Sequence, residues 1–367
     1  MFSFLSILSQ VAHKAVQAFL DHIQKVERKP VDPKPILMKC VCSIMGYICY
    51  GNFYNPDCEE VATILGQSER FETAVQFGVI CDYIPGAAFL MRKQLQEYKE
   101  LIQNISNYSD KLASKHIDSY DGENMRDLSD MFHRAGDEMS TDDAKVLNVD
   151  SRMLKDTVAS LFGAGFAALA ETLYCSILLM ALHPEVQVKV HEEIDQVIGK
   201  GNYPTMDDSN EMPYTMAVIN EIYRYHSMSA FGFTYTSTCD TELDGYFIAN
   251  RTPIMFNFWS AHRDPTVFTN PDKFDPDRFL TPDGKLDTKA TENVVPYGLG
   301  QRHCGGEIIA RMEVIVFFLV LLQRCVIKEA PGHPLDPKNY IMTLGVTLKP
   351  FKVIFEPRYA GAFDMDV

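Results

Sequence analysis

The residues best placed for chemistry lie in VPYGLGQRHCGGEIIAR, Val295 to Arg311. Cys304 sits between two pairs of glycines, Gly298 and Gly300 before it and Gly305 and Gly306 after it, with Arg302 two residues upstream. The spaced glycines predict a tight, bulged loop, and the apolar run after Glu307 predicts a helix that begins just past the thiol. A cysteine at a helix N-terminus meets unpaired backbone N–H groups and the positive end of the helix dipole, which favour thiolate over thiol. Three uses of such a thiol compete. A dinucleotide fingerprint would want glycine where His303 stands and an acid about twenty residues on at a strand end, where the chain is an apolar helix instead. A cysteine nucleophile would want a histidine and an orienting acid, a role that position leaves open for His303. A buried structural cysteine needs neither the arginine nor the glycines around it.

The elements that must hold this loop can be read along the chain. With 367 residues and 46% hydrophobic content, it can bury one large core or a main domain with a smaller lobe. The formal charge of −15, with no dense Lys/Arg cluster, argues against nucleic acid as a partner. Nine cysteines without a CxxC pair fit a reducing compartment, and Cys40 and Cys42, two apart on an expected helix, point to different faces and make a poor metal pair. The apolar N-terminal run is interrupted by Gln10, His13 and Lys14, so no membrane anchor is expected in this chain.

The first 150 residues predict amphipathic helices broken at VERKPVDPKP, YGNFYNPD and DYIPGAAF. From Ser151 the chain runs about thirty residues without proline, roughly 45 Å of helix. A helix apolar on most faces must cross the middle of the domain. Gly163 and Gly165 at its centre point either to close helix packing or to something flat approaching the backbone. Further helices are expected after Pro184 and over MPYTMAVINEIYRYHS, followed by short strands with turns at Asp244-Gly245 and Asn250.

YGLGQRHCGG resembles the haem-binding loop of the cytochrome P450 family, F-x-x-G-x-R-x-C-x-G, with Tyr297 in the aromatic position. EIYR, Glu221 to Arg224, is similar to that family's E-x-x-R helix, and FDPDRF, Phe274 to Phe279, to the segment whose arginine completes a Glu-Arg-Arg network. LFGAGF followed by ALHPEVQ resembles its central helix and the helix after it. The likeness covers nearly the whole chain and is greatest to the animal microsomal branch, with its steroid hydroxylases and aromatic-hydrocarbon-oxidising members. It implies a mainly α fold with a small β-sheet region, the cytochrome P450 fold lacking its N-terminal part. Residues 1–367 would form one partial domain: early helices in 1–150, central helix to Glu-Arg helix in 151–226, and β region, meander, haem loop and final helix in 227–356. Residues 357–367 would be a tail.

The resemblance implies a haem b (iron protoporphyrin IX) cofactor with Cys304 as its axial metal ligand. Backbone N–H groups of Gly305 and Gly306 would bond the sulfur, and Gly298, Gly300 and Gly306 would leave room for the porphyrin. Tyr297, Ala164 and Gly165 would lie against it, and Arg302 would pair with a propionate. Glu221, Arg224 and Arg278 would form a buried structural network. Phe162, Phe166, Phe231, Phe233 and Leu344 would line a lipophilic, steroid-like or aromatic substrate's pocket, although each is equally compatible with core. The implied reaction inserts one atom of O2 into that substrate, with NADPH-cytochrome P450 reductase as partner and the cytoplasmic face of the endoplasmic reticulum membrane as location.

Three departures qualify this. Ala167 and Ala168 stand where the family carries an acid and an alcohol that relay protons. Glu171 and Thr172 follow one turn later and either substitute for that pair or form an ordinary polar surface. The early helices, including the W-x-x-x-R helix that binds a propionate, have no counterpart, and Thr234-Tyr235 replaces the family's Pro-His. A haem-thiolate isomerase, dehydratase or peroxide-using enzyme, or a non-catalytic remnant, are the alternative readings.

Overall fold

The computed structural model describes residues 2–51, 55–84, 86–117, 119–121, 125–140, 151–342 and 345–364. Before the central helix come α1 (Phe2–Lys25), α2 (Lys34–Tyr50), α3 (Glu59–Tyr83), the short α4 (Ala87–Leu90), α5 (Arg92–Ile117) and α6 (Leu128–Glu138). The expected breaks fall between them. Pro35 stands in the first turn of α2, where a missing N–H costs nothing, and Gly51 ends the helix at φ 62°, donating its N–H to the Tyr47 carbonyl at 2.8 Å. Asp127 caps α6 by accepting the Asp130 N–H.

α7 (Ser151–Leu182) is the long proline-free helix, 32 residues in length. It is apolar and long enough to cross a membrane, yet 72% of its most apolar window is buried inside the protein, as a core helix requires. α8 (Pro184–Val197), α9 (Pro213–His226) and α12 (Glu307–Arg324) pack around it, with short α10 (Phe258–Ala261) and α11 (Thr288–Thr291) in the loops between. Phe19 of α1 meets Phe317 of α12 and Phe355 edge to face, at 5.8 and 5.6 Å between centroids, tying the first and last parts of the chain into one core.

The described strands form two-stranded antiparallel ladders. β1 (Tyr235–Thr236) pairs β4 (Pro253–Ile254), and β2 (Thr241–Leu243) pairs β3 (Tyr246–Ile248). The second hairpin turns at Asp244 (φ 50°) and Gly245 (φ 79°), the positive-φ pair expected of Asp-Gly. β5 (Cys325–Glu329) pairs β8 (Val353–Pro357), with Cys325 opposite Pro357, and β6 (Tyr340–Met342) pairs β7 (Val346–Leu348). The mainly helical expectation with minor sheet agrees with this architecture.

Candidate functional site

The cysteine loop is the turn that enters α12. Gly298 (φ 77°) and Gly300 (φ 75°) adopt a conformation that side chains resist, so the bulge expected from the spaced glycines forms. The Cys304 N–H donates to the Tyr297 carbonyl at 2.8 Å, and the Glu307 N–H donates to the Cys304 carbonyl at 3.3 Å where the helix begins. Cys304 is exposed, and the Gly306 backbone runs close enough that a Cβ there would lie 3.9 Å from its Sγ. His303 Nδ1 is turned onto the Gly300 carbonyl at 2.7 Å, and its Nε2 lies 4.0 Å from Glu307. No hydrogen bond joins the imidazole to the Cys304 thiol among the described residues, so the pairing that a cysteine nucleophile needs is not formed.

Three anchors tie this loop to the rest of the chain. The Val295 N–H donates to His262 Nε2 at 3.0 Å, the Tyr297 hydroxyl to the Tyr223 hydroxyl at 2.9 Å, and the Tyr235 hydroxyl to the Arg302 carbonyl at 3.2 Å. The first fixes a tautomer. Because His262 Nε2 accepts, its Nδ1 carries the proton and donates to Ser227 Oγ at 2.8 Å, and Ser227 in turn donates to the Arg224 carbonyl. Burial, then the charges of Arg224 and Arg263, lower the His262 pKa to about 4.

That value sets a pH dependence. Between about pH 6.5 and 4 the unfolded chain protonates His262 while the native state does not, so this residue's contribution to stability falls as pH falls through that window and is constant below it. The loss amounts to about 3 kcal/mol at most. Urea midpoints measured from pH 7 to 4 should therefore fall more steeply for the wild type than for His262→Gln. Parallel profiles would show that the imidazole is not held neutral.

Glu221 and Arg224 lie three apart on α9, and both are fully buried. Arg224 grips the Glu221 carboxylate with two N–H groups at 2.7 and 2.8 Å and donates to the His262 and Lys273 carbonyls. Arg278 reaches Glu221 at 3.2 Å, and the Asp275 N–H adds a bond at 2.8 Å. The three residues expected to form a network are brought together. His262, Tyr223 and Tyr235, which couple this network and the β1 segment to the cysteine loop, are not distinguished by any periodicity in the sequence.

The walls divide the remaining residues. On α7, Gly163 and Ala164 are exposed, nothing lies within 4 Å of a Cβ placed on Gly163, and Ala167 and Ala168 are half-buried. This is the open side of the helix. A Cβ on Gly165 would stand 2.5 Å from Met45 Cε of α2, so close helix packing accounts for this glycine. Phe162 and Phe166 are core residues, 6% and 3% exposed, in a ring cluster with Tyr50. Phe162 packs on Tyr50 of α2, and Phe166 packs on Phe162. Phe231 and Phe233 are exposed, Phe233 by 80%. Leu344 lies outside the described residues.

Glu171 and Thr172 are both engaged in the structure. The Glu171 carboxylate, 6% exposed, accepts from Lys34 Nζ at 2.8 Å and from the Leu348 N–H at 2.7 Å. The Thr172 hydroxyl donates to the Ala168 carbonyl one turn back at 3.0 Å. Occupied in this way, the carboxylate joins α2, α7 and β7. Glu171→Ala is expected to lower stability by about 1–3 kcal/mol in urea denaturation, because it orphans a buried N–H and an ammonium. A midpoint equal to that of the wild type would show that the carboxylate does not tie these elements together.

An apolar, planar group with a soft metal fits what is present. The thiol is exposed at a helix start, and Leu299 and Ile308, flanking it in the chain, are 74% and 76% exposed. Phe231 and Phe233 precede the strand whose Tyr235 bonds the loop. Exposed apolar side chains on the cysteine loop and on the segment bonded to it mark a surface that something apolar can cover. The Arg302 guanidinium forms no ion pair among the described residues and is free to meet a carboxylate. The other donor cluster, His116, Asp127 and Asp130, is buried, but Arg126 already clamps the Asp130 carboxylate at 2.7 and 2.9 Å and neutralises it. That cluster reads as a structural pin between α5 and α6.

Known proteins share this fold. A solved zebra fish cytochrome P450, a structure with abiraterone, superposes with a TM-score of 0.82 at 23% identity, over 96% of this chain and 78% of that one. Cytochrome P450 1A3 of Oncorhynchus mykiss is 32% identical over 306 residues, 83% of this chain and 59% of the relative. Cytochrome P450 1A1 of Homo sapiens is 30% identical over 331 residues, 90% of this chain and 65% of the relative. The chain thus spans about three fifths of the length of the curated relatives it matches. The family model described as Cytochrome P450 matches residues 1–355, a span that includes the loop around Cys304, the Glu221-Arg224-Arg278 network and the central helix, and the chain belongs to the cytochrome P450 family.

Proposed function

We propose that this chain is a haem-thiolate monooxygenase unit that inserts one oxygen atom of O2 into a lipophilic, steroid-like or aromatic substrate. The observation that carries the reading is the exposed Cys304 thiol at the start of α12, on a loop held by His262, Tyr223 and Tyr235. Cys304 would ligate haem iron, with Gly305 and Gly306 presenting backbone N–H groups near the sulfur, and a bound haem b would supply the oxygen-activating chemistry. Arg302 would hold a propionate through its planar fork. Gly298 and Gly300 would let the loop pass close to the ring, with Gly163 and Ala164 on the open side of α7 covering part of it. Phe231 and Phe233 would supply apolar contact to substrate. NADPH-cytochrome P450 reductase would be the electron donor, at the cytoplasmic face of the endoplasmic reticulum membrane.

Ala167 and Ala168 favour a second reading. Methyl groups neither deliver protons nor hold a relay water, which suits a haem-thiolate isomerase, dehydratase or peroxide-using enzyme. A carbon monoxide difference spectrum of the dithionite-reduced chain with haem supplied is the first test. A long-wavelength thiolate-type band is expected. Its absence would leave a non-catalytic remnant as the reading. Given the band, substrate-driven NADPH consumption with reductase separates the monooxygenase from an enzyme that responds only to hydroperoxide.

A further inference from the structure

Tyr223, buried on α9, and Tyr297, half-buried in the cysteine loop, form a hydroxyl pair. Tyr297 donates to Tyr223 at 2.9 Å, and the rings meet edge to face at 5.7 Å and 69°. Tyr223 is 8% exposed and lies on α9 between Glu221 and Arg224, the two residues locked in the buried network. Tyr297 is held on its other sides as well. The Arg311 guanidinium sits 4.8 Å from its ring centroid and is itself paired with Glu307 at 2.8 Å. The Tyr297 carbonyl accepts the Cys304 N–H at 2.8 Å.

We propose that the Tyr223–Tyr297 hydroxyl pair is a positioning device that transmits the fixed register of the Glu-Arg helix to the backbone of Cys304. Two stacked or tilted rings tolerate sliding, because dispersion and apolar burial are nearly indifferent to a shift of a fraction of an ångström. A directional bond between part-buried hydroxyls is not indifferent, since its strength falls with distance and angle and a hydroxyl shielded from water without a partner carries a desolvation penalty. The position of the Tyr297 side chain is thereby set by α9, its carbonyl by the glycine bulge that follows, and the Cys304 amide by that carbonyl. These are positioning residues. Neither hydroxyl needs to touch the sulfur to hold the thiol where a metal would meet it.

The proposal deepens the haem-thiolate reading, so its test begins with a quantity that does not depend on haem. Amide hydrogen exchange at Cys304 is to be compared with that at Phe317, in the core of α12, in the full chain. Tyr223→Phe removes the directional bond and leaves the half-buried Tyr297 hydroxyl without that partner, and is expected to speed Cys304 exchange about tenfold while leaving Phe317 unchanged. Adding Tyr297→Phe removes the orphaned hydroxyl but does not restore the bond, so Cys304 in the double variant is expected to exchange about as fast as in the single. Unchanged Cys304 exchange in the single variant, equal acceleration at Phe317, or a double variant back at the wild-type rate would each overturn the proposal. With haem supplied, the thiolate-type fraction of the carbon monoxide complex should fall in Tyr223→Phe and stay low in the double. A wild-type chain that takes up no haem would count against the proposed function alone, and the exchange rates would still decide the role of the pair.

Discussion

Arg224→Met is expected to lower the stability of the chain by about 3–5 kcal/mol, a third or more of the folding free energy of a typical domain. Arg224 is fully buried, and the substitution removes both of its bonds to Glu221 together with the donors that satisfy the His262 and Lys273 carbonyls. Glu221 keeps only the Asp275 N–H and Arg278 and must either remain charged in the interior or take up a proton. The methionine fills much of the space, so the cost is electrostatic and polar rather than a cavity. Glu221→Gln combined with Arg224→Met should be less damaging than Arg224→Met alone, because the fully buried carboxylate is then neutral, while Arg278 keeps the Thr269, Asn270 and Lys273 carbonyls. Arg278→Met, at a side chain 11% exposed with one ion pair to Glu221, should cost less than Arg224→Met. Urea denaturation of the four chains gives the comparison. A single variant within about 1 kcal/mol of the wild type would mean that water reaches Glu221.

How much of this was legible in the sequence depended on the range over which each constraint acts. The cysteine loop is local: its glycines, arginine and thiol carry their backbone requirements with them, and α12 begins at Glu307 as the apolar run indicated. The long α7 was equally readable, since a proline-free apolar stretch can hardly be anything else. Gly165 was ambiguous because its reason is Met45, well over a hundred residues away, while Gly163 two positions earlier faces open space. Glu171 could not be assigned from helical phase alone, because what claims it is the Leu348 N–H, 177 residues downstream. β5 follows α12 directly, with only Gln323 and Arg324 between the two apolar runs, and its pairing with β8 is what distinguishes strand from helix. His262 stands in a meander with no period, so its bridging of Val295 and Ser227 belongs wholly to the tertiary fold.

The haem-thiolate reading places its whole weight on one sulfur, and Cys304→Ser is expected to abolish the thiolate-type carbon monoxide band while leaving the fold intact. Serine keeps the backbone bond from residue 304 to the Tyr297 carbonyl and adds no bulk beside Gly306. The side chain is exposed, so removing the sulfur loses little apolar burial, and the melting temperature should stay close to that of the wild type. A serine hydroxyl is a harder donor and far less acidic than a thiol, so the soft anionic ligand is lost even if haem still binds through its apolar faces. Survival of the band would require another thiolate. Burial holds the Cys40, Cys49, Cys175 and Cys325 thiols well above their ordinary range, and pushes Cys42 up to about 12, which disfavours each as an anionic ligand. Cys239 is the other exposed cysteine, and it lies beside the β2–β3 hairpin with no helix N-terminus following it. A band retained in Cys304→Ser but lost when Cys239→Ser is added would therefore move the metal site to a place the loop geometry does not support, and loss in Cys304→Ser alone ties it to the start of α12.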